Sequence, residues 1–480
     1  MIKKTLLIAS FALVGFANTY AGGILTNTNQ STRFTRLFAL EAMTNAADAA
    51  YYNPAGTTKL SEGFHFTFSN QSAFQERHIT STFPTINGGE PKLYKGKASA
   101  PVIPSIQGVY RKGKWALSGG IAIVGGGGKA TFNEGLPMFE VPVSTLPGAI
   151  TKELGAKLPI SADKYEVTQY MTGSNYIFGG QIGGAYKIND MFSVYGGFRL
   201  NIVHNKYEGY LNDLRLNLKS PGVPQAGLPA YDGSMTSPSV PLAIMIKTLE
   251  GKQDPTPAEL ASLEGLRIMQ HAASEEGAQL NSKQSGWGVA PIIGFNFSWN
   301  KLNIGAKYEF RSALDVENKT SIDNTGMFKD GVNTAHDVPA LLAVGASYNI
   351  IDPLTVSVGY HHFFDKQADM AGNKQKALTG GTNEYLFGAE WKIDQMFLVS
   401  MGGQITRYGL ADKFQSDLSF SVNSYSLGFG GAVNVSKNVQ INVGYFFTDY
   451  GDYTMKADYG ANNTYTRKNK VFSAGVDFSF

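Results

Sequence analysis

The sequence contains no cysteine and few charged residues. Of its 480 residues, 16% are Asp, Glu, Lys or Arg, against roughly 25% in a typical soluble protein. Without disulfides, an exported chain of this length needs a hydrogen-bonded framework that closes on itself. The charges nearly cancel, at +3 for the whole chain, which excludes the strongly basic face of a nucleic-acid-binding protein.

The sequence also lacks long hydrophobic runs. Beyond its N-terminus, no apolar segment approaches the roughly 20 residues that a membrane-spanning helix needs, and the mean hydropathy is −0.15. Aromatic residues nevertheless make up 12% of the chain, and there are 55 glycines. This composition is typical of a transmembrane β-barrel, in which lipid-facing and lumen-facing residues alternate and the hydropathy averages out. A large soluble all-β protein is the alternative.

The first residues, 1–21, predict a signal peptide. Lys3 and Lys4 form a charged start, residues 5–16 form an apolar core, and Ala21 ends a small-residue cleavage site. The apolar core is too short to favour the alternative, an N-terminal anchor helix. Together with the composition, this leader leads us to expect a protein of the outer membrane of a Gram-negative bacterium.

The remainder, 63–480, alternates apolar and polar residues with a period of two in about 14 segments. In the last segment Phe472, Val476 and Phe480 share one face, and Asp477 lies on the other. Apolar faces that carry aromatic residues are typical of strands that reach the membrane interfaces. The opposite faces are small or polar, as expected for a lumen.

The connections between these segments alternate in length. Short turns lie near Gly113, Asn189, Asn300, Asp352, Asp394 and Lys437. Long loops span roughly 75–98, 129–173, 211–284, 319–337, 365–383, 410–421 and 451–468. Outer-membrane barrels sort their connections in this way, whereas a β-sandwich has no reason to. The sequence therefore predicts an all-β fold, a transmembrane antiparallel β-barrel of about 14 strands with long extracellular loops.

The segment before the strands, 22–62, has a different character. Residues 33–50 are rich in amino acids that favour helix, and Asn53-Pro54-Ala55-Gly56 then supplies turn chemistry. An empty lumen in a barrel of this size would conduct. We therefore expect 22–62 to form a small helical N-terminal plug, or hatch, inside the barrel formed by 63–480.

The largest loop, 211–284, is unusually apolar. Thr256-Pro257-Ala258-Glu259 forms a capping box with proline at the first helical position, so part of the loop is expected to be helical. Such a surface is unusual and suggests a functional role, while packing into the loop's own core is the alternative. The apolar residues concerned are Leu242, Ile244, Ile246, Leu260 and Leu263, which the family resemblance described below makes candidates for ligand capture.

Cations on predicted lumenal faces are candidate ligand-binding residues. Arg199, Lys307 and Arg311 fall opposite the apolar faces of their segments, and a cation in a narrow lumen could bind a carboxylate. The alternative is an interior network of salt bridges, for which the candidate acids are Glu309, Glu41 and Asp48.

The sequence resembles the FadL-type outer-membrane transporters of long-chain fatty acids and other hydrophobic compounds. The match is centred on Ala46-Ala47-Asp48-Ala49-Ala50 and Asn53-Pro54-Ala55-Gly56. Further matches follow in order along the chain, among them Pro104-Ser105, Trp115-Ala116-Leu117, 305–312 and Gly359-Tyr360. The resemblance implies a 14-stranded barrel with an N-terminal hatch, capture at extracellular loops, a lumenal pocket and lateral exit where the third strand is kinked.

A glycine run marks the place where that exit is expected. The third predicted strand, 115–123, leads into Gly125, Gly126, Gly127 and Gly128, and glycines weaken strand pairing and favour bulges. The run differs from the Pro-Phe-Gly-like pattern common in the family. We expect these glycines to lie beside Asn53, Pro54 and Ala55, so that the hatch and the gap form one gate. A loose strand end is the alternative.

Motifs for catalysis or metal binding are not found. The glycine run fails the phosphate-loop pattern because Ala130 replaces Ser or Thr, and His361 and His362 point to opposite faces of a strand. We expect no enzyme, no cofactor and no metal site. Transport of a hydrophobic compound is the leading hypothesis. A general porin, an accessory barrel for secretion or adhesion, and a barrel-embedded enzyme are the alternatives.

The partners expected from this reading are few. They are a hydrophobic, fatty-acid-like small molecule, outer-membrane lipid, and the barrel-assembly machinery, which reads a C-terminal aromatic residue such as Phe480. No nucleic acid is expected, and we expect a monomer.

Overall fold

The computed structural model describes residues 24–480, so the predicted signal peptide, 1–21, lies outside the described residues. Within them the chain forms one antiparallel sheet of 18 strand segments. The segments are β1 (Gly63–Thr82), β2 (Lys92–Lys112), β3 (Trp115–Phe132), β4 (Ser161–Lys187), β5 (Phe192–Ser220), β6 (Tyr231–Thr236), β7 (Ala278–Trp299), β8 (Leu302–Glu309), β9 (Asp315–Asp323), β10 (Asn333–Ala335), β11 (Leu341–Ile351), β12 (Leu354–Phe363), β13 (Thr382–Lys392), β14 (Phe397–Arg407), β15 (Ser424–Ser436), β16 (Val439–Tyr450), β17 (Tyr453–Lys456) and β18 (Asn462–Ser479).

These segments make a closed barrel of 14 strands, as predicted. β8 and β9 are two parts of one strand, interrupted at 310–314, and β10 and β11 are two parts of the next, interrupted at 336–340. β6 and β17 are short hairpin partners at the loop end of the wall. Each of the other strands pairs with its neighbours in sequence, and β1 also pairs with β18.

The closing pair joins the two ends of the barrel sequence. β1 and β18 pair from His65 opposite Ser479 to Thr82 opposite Asn462. The C-terminal residue continues the ladder, because Phe480 donates its N–H to the oxygen of Phe64 at 2.8 Å and accepts the N–H of Phe64 at 3.1 Å. No strand edge is left without a partner at this seam, which a sheet surrounded by lipid requires.

The two faces of the wall differ as the sequence predicts. On β1, the side chains of Phe64, Phe66 and Phe68 are exposed on the outer face, while His65 and Thr67 are buried on the inner face. Large exposed aromatic residues form one band near the short turns and a second near the long loops. Examples are Phe64, Trp115 and Trp299 at the turn end and Phe74, Trp287 and Tyr425 at the loop end.

Helices lie inside the barrel and in the loops. They are α1 (Thr32–Leu37), α2 (Ala49–Tyr52), α3 (Pro137–Glu153), α4 (Ser239–Glu250) and α5 (Pro257–Ala272), with a 3-10 helix at Pro54–Lys59. None of the helices within residues 24–480 is long and apolar enough to cross a membrane. α5 begins with the predicted capping box, in which Thr256 and Glu259 each accept a backbone N–H from the other.

The helical composition of 33–50 is expressed only at its two ends. α1 stops at Leu37, and the next residue, Phe38, has a φ of +61°. From there to α2 the chain is irregular and buried against the wall. The carbonyl of Leu37 lies so close to Gly388 and Gly402 that a Cβ at either glycine would overlap it. Packing inside the lumen therefore overrides helix propensity, which is a weak preference.

Residues 24–60 fill the interior of the barrel, and nearly all of them are buried. α1 packs against β14, β15, β16 and β18, α2 against β2 and β3, and the 3-10 helix against β4, β5 and β7, which lie across the lumen from α1. The ring of Phe38 meets Phe446 of β16 with centroids 5.4 Å apart. The described part of the predicted plug therefore contacts strands on both sides of the lumen.

The long loops fold onto the barrel mouth. β4 and β5 extend beyond the outer aromatic band and pair up to Ser161 and Lys219. The connection between β5 and β7 is therefore 221–277, shorter than the predicted 211–284. α3 packs on β4, and α4 packs on α5. Polar residues in these strand extensions, which no lipid faces, obscure the period-two alternation by which strands were predicted.

The plug makes a testable prediction about conductance. Deleting residues 24–56 should raise the single-channel conductance in a planar bilayer, because these residues occupy the lumen. The deletion leaves the barrel strands intact, since the first of them begins at Gly63. Heat-modifiable gel mobility must show that the shortened barrel is folded. An unchanged conductance in a folded barrel would contradict the assignment of this segment as the plug.

Candidate functional site: a sidewall gap closed from inside

The wall opens between β2 and β3. Their pairing stops at Ala98 and resumes at Ile106, so that residues 99–105 of β2 face 122–129 of β3 without a ladder. Pro101 lies in this stretch, and a proline has no N–H to donate to a neighbouring strand. The backbone sequence of β2 thus contributes to the opening as well as the glycines of β3.

The predicted irregularity at the glycine run is present. The register between β3 and β4 shifts between Ile123 and Gly125 and again before Gly128. Gly126 and Gly128 have φ values of +85° and +66°, which residues other than glycine rarely adopt. A Cβ at Gly126 would also overlap the backbone oxygen of Asn175. The four glycines, including the buried Gly127, form a bulge that points toward the plug.

The start of the described chain closes this gap from the inside. Asn27 donates its N–H to the oxygen of Val124 at 2.8 Å, and Gly126 donates its N–H to the oxygen of Leu25 at 3.1 Å. We call residues 25–30 the gap segment. Its two backbone bonds replace part of the ladder that β3 has lost.

The gap segment is bound to the other edge of the opening as well. The carbonyl of Gln30 accepts from Ser105 Oγ at 2.7 Å and from Gln107 Nε2 at 3.1 Å, both on β2. The Gln30 side chain reaches back to β3, where its Nε2 donates to the oxygen of Ile123 at 3.1 Å. One segment therefore joins both edges of the gap.

A cavity of about 180 Å³ lies in the opening. Asn27 lines its inner side, and the remaining lining comes from the two strands and from Tyr176 on β4. The strand residues that line it include Pro101, Val102, Ile103, Ile123, Gly126 and Gly128. The cavity is bounded by lipid-facing residues outside and by the gap segment inside.

The predicted partners of the glycine run lie elsewhere in the plug. Asn53 Nδ2 donates to Asn296 Oδ1 of β7 at 2.8 Å, Pro54 lies against Gly294 of the same strand, and the carbonyl of Ala55 accepts from Ser193 Oγ at 2.7 Å. The expectation that Asn53, Pro54 and Ala55 lie beside the glycines is therefore wrong. The hatch residues next to the gap are 25–30, whose polar sequence gave no signal of strand-like pairing.

The two lumenal cations on β5 and β8 share one carboxylate. Arg199 and Lys307 are buried on the inner face. Glu309 accepts from Arg199 at 2.5 Å and 3.0 Å and from Lys307 at 2.6 Å. Lys307 also donates to the oxygen of Tyr51 at 2.7 Å and lies over the ring of that residue. This arrangement is the interior salt-bridge network that the sequence left open as an alternative.

Arg311 is not on the lumenal face. β8 ends at Glu309, and the chain leaves the ladder, so the side chain of Arg311 is 42% exposed. It pairs with Asp337 at 3.1 Å and Asp369 at 3.2 Å. The prediction of an inward-pointing Arg311 is wrong because alternation was extended past the point where the strand stops.

Other buried charges bind the plug to the wall. Arg36 pairs with Glu390 of β13 at 2.8 Å. His361 of β12 lies between Glu41 of the plug at 2.8 Å and Glu384 at 2.9 Å. His362 faces outward, as predicted from the strand period. Within residues 24–480, no group of three His, Cys, Asp or Glu residues is placed to hold a metal ion. The buried plug residues Arg33, Arg36, Glu41 and Asp48 thus each have an opposite charge beside them.

At the loop end, the chain start touches the loops. Ile24 and Leu25 pack among apolar residues of the 365–378 and 408–414 regions. Asp365 accepts the backbone N–H of Ile24 and two bonds from Thr382, at 2.8 Å and 2.6 Å. Burial raises the pKa of the Asp365 carboxyl to about 6. The segment that closes the gap is therefore continuous with residues that contact the loops.

The candidate capture residues divide into two groups. Leu242 and Ile246 are buried in a core formed by the helices and loops themselves, which is the alternative that the sequence left open for them. Ile244 and Leu263 are half-buried at the edge of that core, and Leu260 is 50% exposed. Helix α4 thus uses its apolar residues mainly to hold the loop together.

An apolar crevice lies beneath these helices at the barrel mouth. Phe139 of α3 and Ile268 of α5 cover it, and it is floored by strand and loop residues that include Tyr170, Met171, Leu211, Leu280 and Met327. Its volume is about 20 Å³, little more than one water molecule needs. A larger ligand could enter only if the two helices moved apart.

The shared carboxylate predicts a measurable effect on stability. Replacing Glu309 with Gln leaves two buried cations without their anion, so we expect the free energy of unfolding to fall by about 3–5 kcal/mol. Urea unfolding in detergent micelles measures the change. Glu317→Gln is the matched control, because Glu317 is exposed on the outer face of β9 and should change the stability by less than about 0.5 kcal/mol. Equal effects would contradict a tightly paired interior network.

Comparison with known proteins places the fold. No protein-family model and no curated protein sequence matches the chain. Solved structures do match. A FadL homologue from Pseudomonas aeruginosa is 12% identical, with 96% of this chain and 100% of the other covered and a TM-score of 0.63. The toluene transporter TodX of Pseudomonas putida is 12% identical, with 96% and 99% covered and a TM-score of 0.52. The fold of this chain, a closed wall of 14 strands around an N-terminal plug, is therefore similar to that of the FadL-type barrels.

Proposed function

We propose that this protein carries hydrophobic small molecules, with long-chain fatty acids as the main class, across the outer membrane of a Gram-negative bacterium, and releases them sideways through the gap between β2 and β3. The observation that carries the proposal is the gap itself, whose two edges are joined from inside by the gap segment, 25–30. A wall that served only to enclose a plug would be more stable with the backbone hydrogen bonds between β2 and β3 complete.

The physical argument is the free-energy cost of exposing a hydrophobic ligand to water. A hydrophobic ligand gains about 0.8 kcal/mol for each CH₂ group that stays out of water. The turn end of the lumen is occupied by the 3-10 helix of the plug and by its contacts with β5 and β7. A ligand in the lumen therefore has a shorter apolar route through the wall than through the floor.

The chain start offers a link between capture and release. Ile24 and Leu25 pack against loop residues such as Met370 and Phe414, while the next residues close the gap. A ligand that pushes the loops or the upper lumen apart would disturb both contacts at once. The hydrogen bonds that would have to break are those of the gap segment to β3 and the β2 edge, to Gln71 of β1 and to Tyr52 of α2.

The structural relatives support the substrate class. The relatives include a FadL homologue and TodX, which is described as a toluene transporter. The crevice between α3 and α5 is apolar, as a capture site for such compounds must be. Among the alternatives, a general porin needs an open aqueous lumen, and the buried plug argues against it. An accessory barrel would not need a closable gap.

A cross-linking experiment tests lateral release. Asn29 of the gap segment donates to Gln71 of β1 at 2.5 Å, and the chain has no cysteine of its own. Cysteines at these two positions, joined by a short reducible thiol cross-linker, should hold the gap segment in place. We expect the uptake of a fluorescent fatty acid by cells to fall to that of cells without the protein and to recover on reduction.

The matched control links the plug to the wall away from the gap. Asn53 and Asn296 make an equivalent amide contact, and cysteines there should leave uptake unchanged when linked. Full uptake with the 29–71 link would refute gating by the gap segment. Loss of uptake with both links would mean that the whole plug must leave, which would overturn lateral release in favour of an exit through the floor.

A further inference from the structure

Four lysines form a cluster on the outer face of the wall at the loop end of the gap. Lys97 of β2 and Lys129 of β3 flank the opening, and Lys468 and Lys470 lie on β18. Glu76 of β1 pairs in register with Lys97 on one side and with Lys468 on the other. Two strand spacings, roughly 10 Å, therefore separate the backbones of Lys97 and Lys468. We call these four residues the lysine cluster.

The height of the cluster is set by the strand period. Phe472 occupies the next outward position after Lys470 on β18, and Phe74 the one before Glu76 on β1, both on the side nearer the short turns. Both phenylalanines are exposed members of the loop-end aromatic band, and such bands mark the membrane interface. The lysines therefore lie at the level where lipid headgroups begin.

The cluster carries uncompensated positive charge. In the chain from residue 24 onward, no carboxylate lies within ion-pair distance of any of its four lysines, and all four are exposed. Two carboxylates lie beside the cluster in register, Glu76 of β1 and Asp449 of β16. Glu76 is already held by Lys95 at 2.9 Å and by His78 at 3.2 Å. Four lysines against Asp449 leave a net positive charge on this face, which an anion would neutralise.

The surface below the cluster suits a hydrocarbon chain. The gap cavity of about 180 Å³ comes first. Further toward the short turns, a shallow groove of about 360 Å³ runs over β2, β3 and β4. It is lined by small and apolar residues, chiefly Ile106, Gly108, Gly119, Gly120, Gly180 and Ile182. Cations above an apolar groove match the order of headgroup and acyl chain in a lipid.

We propose that the lysine cluster is a binding site for the phosphate groups of an outer-leaflet lipid, whose acyl chain lies in the groove and across the mouth of the gap. Lysine is a strong point-charge partner for phosphate, and basic clusters at a membrane surface attract anionic lipids. The inference rests on the proposed membrane location, but it does not rest on transport. Under the proposed function, this lipid would be the apolar medium that a released ligand enters first.

Binding of a phosphorylated glycolipid tests the site. The purified full-length protein in a neutral detergent is titrated with lipid A that carries both phosphates, and bound lipid is counted by native mass spectrometry. The double variant Lys97→Gln, Lys468→Gln should bind about 30-fold more weakly than the wild type, since each lysine near an anionic headgroup strengthens binding roughly fivefold and two are removed. Lipid A without phosphates should bind the two proteins equally.

The matched control removes two lysines elsewhere at the same end of the wall. Lys283 of β7 and Lys319 of β9 are adjacent in register and exposed on the outer face, so Lys283→Gln, Lys319→Gln should bind lipid A like the wild type. Replacing Lys97 and Lys468 with Arg should retain binding.

Three results would overturn the proposal. The first is equal binding of lipid A by the cluster variant and the wild type. The second is a loss of lipid A binding in the control variant as large as that in the cluster variant. The third is a cluster variant that loses binding of oleate but not of lipid A, which would make the cluster a contact for the carboxylate of a leaving fatty acid. Fatty-acid uptake by the cluster variant is measured in parallel. Wild-type uptake with lost lipid binding would leave the proposed transport standing, so failure of one idea is distinguishable from failure of the other.

Discussion

Backbone hydrogen bonding is the constraint on which the rest of this structure depends. A sheet surrounded by lipid must give every N–H and C=O a partner, because an unsatisfied group there costs several kcal/mol. The seam between β1 and β18, completed by Phe480 and Phe64, meets that demand around the circumference. The stretch between β2 and β3 does not meet it by pairing strands, and there the gap segment supplies backbone partners from inside. Under the proposed function, movement of this segment would open the wall.

The contacts in the interior show how the plug is held inside the wall. Its contacts with the wall combine apolar packing, such as Phe38 on Phe446, with polar pairs. The polar pairs include Arg36 on Glu390, Glu41 on His361 and Asn53 on Asn296. The buried plug charges Arg33, Arg36, Glu41 and Asp48 are each paired, which avoids the large cost of an isolated ion. Paired polar contacts contribute modest net free energy compared with a continuous apolar core. The outer face carries aromatic bands, a glycine-lined groove and exposed lysines, and we propose that these contact lipid.

Much of the architecture could be predicted from the sequence because its signals are local. The period-two alternation, the sorting of turn lengths, the capping box at Thr256 and the glycine run each depend on residues close together in the chain. The inward positions of Arg199, Lys307 and His361 follow from the same period. Prediction failed where local rules stop applying, as at Arg311, where the strand had already ended, and in 33–50, where packing prevents a continuous helix.

By itself, the sequence determined the class of fold, the number of strands, the presence of a plug and the position of a defect in the third strand. The tertiary structure alone decided which residues contact each of these features. Glu309 of the wall neutralises both lumenal cations, Leu242 and Ile246 serve the loop's own core, and residues 25–30, not Asn53 to Ala55, close the gap. The reason is physical: strand period and turn chemistry are properties of neighbouring residues, whereas pairing across a lumen depends on which side chains the closed barrel brings within hydrogen-bond distance.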